Sequence, residues 1–123
     1  MADNTKQLEY IVYLYDNLCA LFADRDDVFM AADLLWYPAE YHPEIRSVPD
    51  VFVVFGCPKR HRRSYKQWEE DNIPPHVVFE ILSPSNYFRP LLEKFRFYDR
   101  YGVQEYYQSV RSRNGHSGGL DTA

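Results

Sequence analysis

Apolar residues recur along the chain with two different periods, which separate helical segments from extended ones. Over residues 4–23 the spacing is three and four, which predicts an amphipathic helix with one buried face. The predicted buried stripe of that helix is formed by Leu8, Ile11, Val12, Tyr15, Leu18, Cys19 and Phe22. A second helix is predicted to begin after the polar sequence 83–86 and to end near Tyr101, because Gly102 is a typical helix stop.

Extended segments are predicted at residues 28–37, 51–55, 77–82 and 103–107. The first is expected to bend near Asp33. The segments 51–55 and 77–82 are apolar on both faces, which indicates central strands that are covered on both sides. The order of helix, strands, helix and strand therefore predicts an α/β (α+β) fold, in which a central mixed sheet is flanked by helices.

Length and composition are typical of a single folded domain. The chain has 123 residues, of which 46% are hydrophobic and 17% aromatic, enough for one core. From Gln108 onward the sequence is polar, so we expect a domain over residues 1–107 and a disordered tail over residues 108–123. The first residues lack a signal-peptide pattern, and no apolar run approaches the ~18 residues that a membrane helix needs. We therefore expect a cytoplasmic protein with no membrane partner.

A short basic segment contrasts with the overall charge of −4. An acidic balance argues against a nucleic-acid partner for the domain as a whole. Residues 58–66 nevertheless contain no acidic residue. Their cationic residues are Lys59, Arg60, Arg62, Arg63 and Lys66. Such a segment either contacts a phosphate backbone or is a solvated loop, and the sequence leaves both interpretations open.

Glu80 lies in the middle of an apolar predicted strand, between Phe79 and Ile81. A buried carboxylate without a partner is costly, so this side chain requires a cation, a metal ion or a raised pKa. Glu80 is therefore a candidate functional residue. The alternative is a glutamate at a strand end that pairs with an arginine.

Two further charged residues attract attention by their positions. Lys94 lies three residues after Leu91 and four before Tyr98, on the apolar stripe of the second predicted helix. Asp50 directly precedes the predicted strand 51–55. Each has a plain alternative interpretation. A lysine at the edge of an apolar stripe can extend to water, and an aspartate beside a proline is ordinary turn chemistry.

Together, Asp50, Glu80 and Lys94 suit one kind of chemistry. Two carboxylates on neighbouring strands and a lysine on the following helix can converge at one end of a sheet. Mg²⁺ prefers hard oxygen ligands and keeps waters that can act as nucleophiles. A lysine can hold the attacking water or offset the charge that grows on a phosphate. The three residues are therefore a candidate site for metal-assisted phosphodiester cleavage.

The motifs around these residues carry a family resemblance that covers nearly all of residues 5–107. They are DLLWYP (33–38), VPD (48–50), SYKQWEE (64–70), FEILSPS (79–85), KFRFY (94–98) and GVQEYY (102–107). Their combination resembles the "putative restriction endonuclease" family that is abundant in cyanobacteria. Members of that family are classed with the PD-(D/E)XK nuclease superfamily. The resemblance implies a restriction-endonuclease-like core.

The resemblance also implies roles for individual residues. Asp50 and Glu80 would be the catalytic carboxylates that bind Mg²⁺ or Mn²⁺, and the backbone carbonyl of Ile81 would be a further metal ligand. Leu82 stands where the superfamily usually has its lysine, and Lys94 would take that role from the next helix. The leading interpretation is therefore a DNA endonuclease, in which the basic segment, if it is not simply a solvated loop, contacts the phosphates.

Relatives usually continue after the strand 103–107 with an Asp-Pro turn and further strands, whereas this sequence continues with polar residues. We therefore expect a C-terminally shortened member whose last strand has an unpaired edge. Such edges recruit other strands, so the expected assembly is a homodimer. The alternative function is a catalytically silent remnant that acts as a DNA-binding or protein-interaction module. A metal-free small-molecule binding domain is a third possibility, with no motif behind it.

Overall fold

The fold is a five-stranded sheet with a helix packed against each face. The structure is a computed structural model that describes residues 5–82, 88–111 and 117–122. The helices are α1 (Thr5–Leu21) and α2 (Phe88–Arg100), and the strands of the sheet are β1 (Val28–Ala32), β3 (Val51–Phe55), β5 (Val77–Leu82), β6 (Glu105–Arg111) and β7 (Ser117–Thr122). Their order is β1-β3-β5-β6-β7. Strands β5 and β6 run parallel and the other neighbouring pairs antiparallel, which confirms the predicted mixed sheet.

Strand β3 lies between β1 and β5, in the covered position that its apolar sequence predicts. Residues 51–54 are all at most 2% exposed. Successive side chains pack on opposite faces of the sheet, as the period of a strand requires. Phe52 belongs to the same core cluster as Tyr98 of α2, and Val51 to the same cluster as Ile11 of α1. Each helix therefore covers one face of the sheet.

Helix α1 presents a different face to the sheet from the one predicted. The sequence predicts Leu8 and Val12 in the buried stripe, but they are 48% and 47% exposed, so that prediction is wrong. Gln7 and Ile11 are the buried residues of the helix instead. Apolar side chains cover much of this helix, so periodicity alone does not determine which of them face the sheet. Among the described helices, none is long and apolar enough to cross a membrane.

The segment predicted as one bent strand is divided into two strands that belong to different sheets. Strand β1 ends at Ala32, and Asp33 follows with a φ of 53°, a left-handed conformation that aspartate tolerates better than most residues. The short strand β2 (Trp36–Tyr37) then pairs in parallel with β4 (Tyr65–Lys66). Strand β4 and the following 3₁₀ turn lie within a stretch that the sequence predicts as loop.

The C-terminal residues contain more structure than the sequence predicts. Strand β6 continues to Arg111, although its predicted end is Tyr107, and β7 lies within the segment predicted to be a tail. The two strands pair antiparallel, with Gln108 opposite Asp121. The edge of β6 that was expected to recruit a second copy is therefore paired within the chain, which removes that reason for a homodimer. The predicted helix-entry sequence 83–86 lies outside the described residues.

Candidate functional site

Two buried carboxylates lie opposite each other at one end of the sheet. The antiparallel register of β3 and β5 pairs Val51 with Phe79, and its continuation by one residue sets Asp50 opposite Glu80. Residues that lie opposite each other in an antiparallel pair project from the same face. Each of the two acids is only 3% exposed. The geometry therefore places both side chains on the face of the sheet that α2 covers.

Asp50 is held by the backbone of the neighbouring strand. Its Oδ2 accepts a hydrogen bond from the backbone N–H of Ile81 at 2.7 Å. Burial, and after it the nearby charge of Glu80, raises the pKa of Asp50 from 3.8 to about 7, because both disfavour the ionised form. Near neutral pH this carboxyl group is therefore partly protonated, and a cation that replaced the proton would offset both effects.

Both carboxylate oxygens of Glu80 accept hydrogen bonds from α2. Lys94 Nζ donates to Oε1 at 2.9 Å, and the hydroxyl group of Tyr98 donates to Oε2 at 2.5 Å. Tyr98 is fully buried. Burial, and after it the charge of Glu80, raises the pKa of Tyr98 well above its ordinary value, so its hydroxyl group remains a donor. Lys94 and Tyr98 are four residues apart on one helix face and together fix the orientation of this carboxylate.

Lys94 points into the site rather than out to water. Besides its contact with Glu80, its Nζ donates to the backbone carbonyl of Val48 at 3.0 Å. Its side chain is 30% exposed, so one side of the ammonium group remains accessible. The structure thus brings together Asp50, Glu80 and Lys94, the three residues that the sequence predicts as a site.

The backbone carbonyl of Ile81, the predicted third metal ligand, already has a hydrogen-bond partner. Gln7 Nε2 donates to it at 2.7 Å, from a side chain that is 5% exposed. A carbonyl oxygen has two lone pairs, so this contact leaves one for a cation. Gln7 therefore connects α1 to the same end of β5 that carries Glu80.

The donor atoms of the site fit a hard divalent cation. Within residues 5–82, 88–111 and 117–122, no group of three or more His, Cys, Asp or Glu side chains could hold a metal ion. A cation here would therefore rely on the carboxylates of Asp50 and Glu80, the Ile81 carbonyl, and water or substrate oxygens. Mg²⁺ is commonly bound in this way, through one or two carboxylates together with waters and substrate phosphates.

Part of the basic segment is internal. The Arg62 side chain is 5% exposed, and it donates to both carboxylate oxygens of Glu70 at 2.7 and 3.0 Å. Its guanidinium group also lies 4.2 Å from the centre of the Phe29 ring. Hydrogen bonding to Arg62 lowers the pKa of Glu70, since the bonds favour the ionised carboxylate. The Arg62 guanidinium group is thus buried and paired with Glu70, so little of it is accessible to a phosphate.

The rest of the basic segment is exposed but begins far from the acidic pair. Lys59 Nζ donates to the backbone carbonyls of Phe22 and Arg25. Arg60 shares Glu70 with Arg62, whereas Arg63 and Lys66 are exposed and have no ion-pair partner among the described residues. The segment follows the far end of β3 from Asp50. At about 3.3 Å per residue, that strand separates Asp50 from the start of the segment by roughly 17 Å. The end of the segment returns, because Lys66 pairs with Tyr37 in β2 and the adjacent Trp36 pairs with Ser47.

Three residues near the site were not singled out from the sequence. Tyr98 could have been found from its spacing to Lys94, because residues four apart share a helix face. Gln7 is one polar residue among many in α1, and its burial follows only from how the helix packs. Arg46 lines an open cleft of about 460 Å³ together with Lys94 and Val48. A single arginine in a loop gives no signal in the sequence.

Comparisons with known proteins give one family and one fold. The chain matches the Uma2 family, described as "Putative restriction endonuclease", over residues 2–113. Its structure is similar to the crystal structure of "a putative nuclease belonging to DUF820" from Anabaena variabilis ATCC 29413, with a TM-score of 0.69, 12% sequence identity, and coverage of 99% of this chain and 69% of that one. At that identity the likeness shows the fold alone. None of the curated proteins matches the chain.

Proposed function

Since the chain belongs to the Uma2 family, we propose that it is a metal-dependent endonuclease that hydrolyses phosphodiester bonds of DNA. The family and the fold support a nuclease-like protein. The observation that carries the finer proposal is the geometry of the acidic site. Asp50 and Glu80 are buried opposite each other, and the Lys94 ammonium group lies 2.9 Å from Glu80. Two carboxylates beside a lysine are the groups that metal-assisted phosphate hydrolysis requires.

Each residue of the site has a distinct part in the proposed reaction. Asp50 and Glu80 would bind Mg²⁺ or Mn²⁺, with the Ile81 carbonyl as a further ligand. The bound cation would supply Lewis-acid stabilisation of the phosphate oxygens and a more acidic water. Lys94 would donate a hydrogen bond to the attacking water or to a phosphate oxygen, from the side of its ammonium group that remains accessible. Tyr98 is a positioning residue that orients Glu80.

The proposed contact between the basic segment and DNA is narrower than the sequence predicts. Arg62 is buried against Glu70, and Lys59 donates to backbone carbonyls. Of the five cationic residues, Arg63 and Lys66 are the ones that are exposed and without an ion-pair partner in the described part of the chain. Phosphates of the bound nucleic acid would therefore contact these two residues, with Arg60 contributing through its exposed side.

The proposal predicts that the purified chain nicks supercoiled plasmid only when a divalent cation is present. Mg²⁺ and Mn²⁺ should both support nicking, and addition of a chelator should stop it, because two carboxylates alone have no electrophile to offer the phosphate. Gel separation of nicked from supercoiled plasmid gives the rate. RNA of the same length, tested in parallel, determines which nucleic acid is the better substrate.

Nicking that continues unchanged in excess chelator would contradict the proposal. A chain that binds DNA but never cleaves it, with any of the cations tested, would instead favour the catalytically silent DNA-binding module. The metal titration and the binding assay therefore separate the two functions.

A further inference from the structure

The accessible side of Lys94 opens into a single cleft of about 460 Å³. This volume lies within the range of sites that hold small ligands. The lining residues are Leu35, Arg46, Ser47, Val48, Glu93, Lys94 and Phe97. Lys94 thus belongs both to the acidic site, through Glu80, and to this cleft. A substrate whose phosphate reached Lys94 would have its neighbouring atoms in the cleft.

Arg46 is the group in this cleft best suited to bind a phosphate. It is exposed and has no carboxylate partner among the described residues, so its guanidinium group is available. The backbone beside it is fixed, because Ser47 exchanges two hydrogen bonds with Trp36 at 2.8 and 3.1 Å. Glu93, which directly precedes Lys94 on α2, also lines the cleft and carries the opposite charge. A phosphate is therefore drawn toward Arg46 and repelled from Glu93.

The walls of the cleft suit a nucleobase rather than a second phosphate. Leu35 and Phe97 are partly exposed apolar side chains that line it. The Phe97 ring is held in place by Trp36, whose ring meets it edge-on with centroids 5.4 Å apart. A fixed aromatic ring beside a cation is the arrangement that binds unpaired nucleotides, because a base stacks on the ring while the cation contacts the backbone. A base that remains paired and stacked in a duplex cannot enter such a cleft.

We infer that the cleft binds an unpaired nucleotide next to the cleaved bond, with its phosphate on Arg46 and its base against Leu35 and Phe97. This inference rests on the proposed function, because it takes the acidic site as the point of cleavage. It identifies the substrate class as single-stranded nucleic acid, or a duplex that is locally unpaired. It also places the strand over Arg46 rather than over the start of the basic segment, which lies at the other end of β3.

The test measures binding separately from cleavage. The native sequence, Arg46→Gln and Arg96→Gln are each titrated into a short fluorescent single strand in the presence of chelator, and the fluorescence anisotropy of the strand reports binding. Arg96 is the matched control, because it is also an exposed arginine but does not line the cleft. Arg46→Gln should weaken binding roughly tenfold, as expected for loss of a charge-assisted hydrogen bond. It should also reduce the slope of log affinity against log salt by about 0.7, whereas Arg96→Gln should change neither.

Two further probes test the base-binding wall without altering the protein. A strand of the same length with abasic positions keeps every phosphate and should bind about fivefold or more weakly, because stacking on the cleft wall is lost. A fully paired duplex should also bind more weakly than the single strand. Equal binding of abasic and normal strands, tighter binding of duplex, or an affinity that Arg63→Gln lowers and Arg46→Gln does not, would each overturn the inference.

Cleavage assays on the same variants distinguish this inference from the proposed function. If the native sequence cleaves plasmid but Arg46→Gln binds and cleaves as well, the cleft inference fails and the proposed function stands. If single strands bind in a manner that depends on Arg46 and no nucleic acid is ever cleaved, the proposed function fails and the cleft remains a nucleotide site.

Discussion

Replacement of Glu80 by glutamine is expected to lower metal-dependent nicking by about 10²- to 10⁴-fold, because a bound cation contributes several kcal/mol of transition-state stabilisation. Glutamine has nearly the same shape, so the core around it should be preserved. Lys94 and Tyr98 each donate to one Glu80 oxygen. In the variant the amide oxygen can still accept from Lys94, and the amide NH2 group can donate to the Tyr98 oxygen. The substitution therefore removes the charge of a proposed metal ligand while it retains the packing. Initial nicking rates at saturating Mg²⁺ measure the effect.

Glu69→Gln is the matched control for this prediction. It makes the same chemical change at an exposed glutamate outside the site, and it should leave the nicking rate within a factor of two or so, as expected for a surface substitution. Circular dichroism of both variants verifies that they are folded. Equal rates for Glu80→Gln and the native sequence would remove Glu80 from the reaction.

Asp50→Asn is expected to stabilise the protein in the absence of metal ions, by about 2–4 kcal/mol above pH 7. Asp50 is buried, and its folded pKa is about 7 against an ordinary value of 3.8. Unfolding therefore lets this carboxyl group ionise freely, which favours the unfolded state. Asparagine does not ionise, so its unfolded state gains no such stabilisation. It can still accept the hydrogen bond that the Ile81 N–H donates.

The pH dependence of this effect has a defined sign. Below about pH 4 the Asp50 carboxyl group is neutral in both states, so the variant and the native sequence should be equally stable. Between pH 4 and pH 7 the unfolded state binds fewer protons than the folded state, and the stability of the native sequence falls relative to the variant. Above pH 7 the difference should be constant.

Urea unfolding of both chains in chelator, at pH 4, 6 and 8, measures the difference. Addition of Mn²⁺ at pH 8 should then stabilise the native sequence and leave Asp50→Asn unchanged, because a ligand stabilises only the state that binds it. A variant that is less stable than the native sequence at pH 8 in chelator would show that the ionised Asp50 carboxylate does not destabilise the folded state.

The parts of the fold that the sequence predicts well are those whose pattern has a single interpretation. Residues 51–55 and 77–82 are continuous apolar runs, and they form the central strands β3 and β5 within the predicted bounds. Helix α1 was predicted in the right place, but with Leu8 and Val12 on the wrong face. Its apolar residues are too widely distributed for periodicity to determine which side meets a sheet.

The C-terminal strand β7 could not be predicted because its sequence contains two glycines and few apolar residues. Strand β7 is defined by backbone pairing with β6. Backbone pairing does not require alternating apolar and polar side chains, so the sequence carries no strand pattern there. The short strands β2 and β4 were missed for a similar reason. Each has only two residues, and they are brought together from distant parts of the chain, where Trp36 Nε1 also donates to Gln67 Oε1 at 3.0 Å.

In the candidate site, too, some residues could be found from the local sequence and others only from tertiary contacts. Glu80 and Lys94 could be selected because each is a charge among apolar residues, and Asp50 because it completes the set and lies in a motif of the family resemblance. Gln7 and Arg46 could not, because their importance depends on contacts formed by segments far apart in the chain. The sequence left open whether the basic segment contacts a phosphate backbone, and the position of Arg62 in that segment does not reveal that Glu70 lies beside it in the interior.

The most direct test of the proposed metal site is a Mn²⁺ titration of the native sequence, Asp50→Asn and Glu80→Gln at pH 8, with free Mn²⁺ followed by electron paramagnetic resonance. The native sequence should bind Mn²⁺, and each variant should bind at least about tenfold more weakly, because each has lost one of two charged oxygen ligands. Mg²⁺ should compete with Mn²⁺ for the same site. A native sequence that binds no Mn²⁺, or binding that both variants retain in full, would contradict the assignment of Asp50 and Glu80 as the metal ligands of a nuclease.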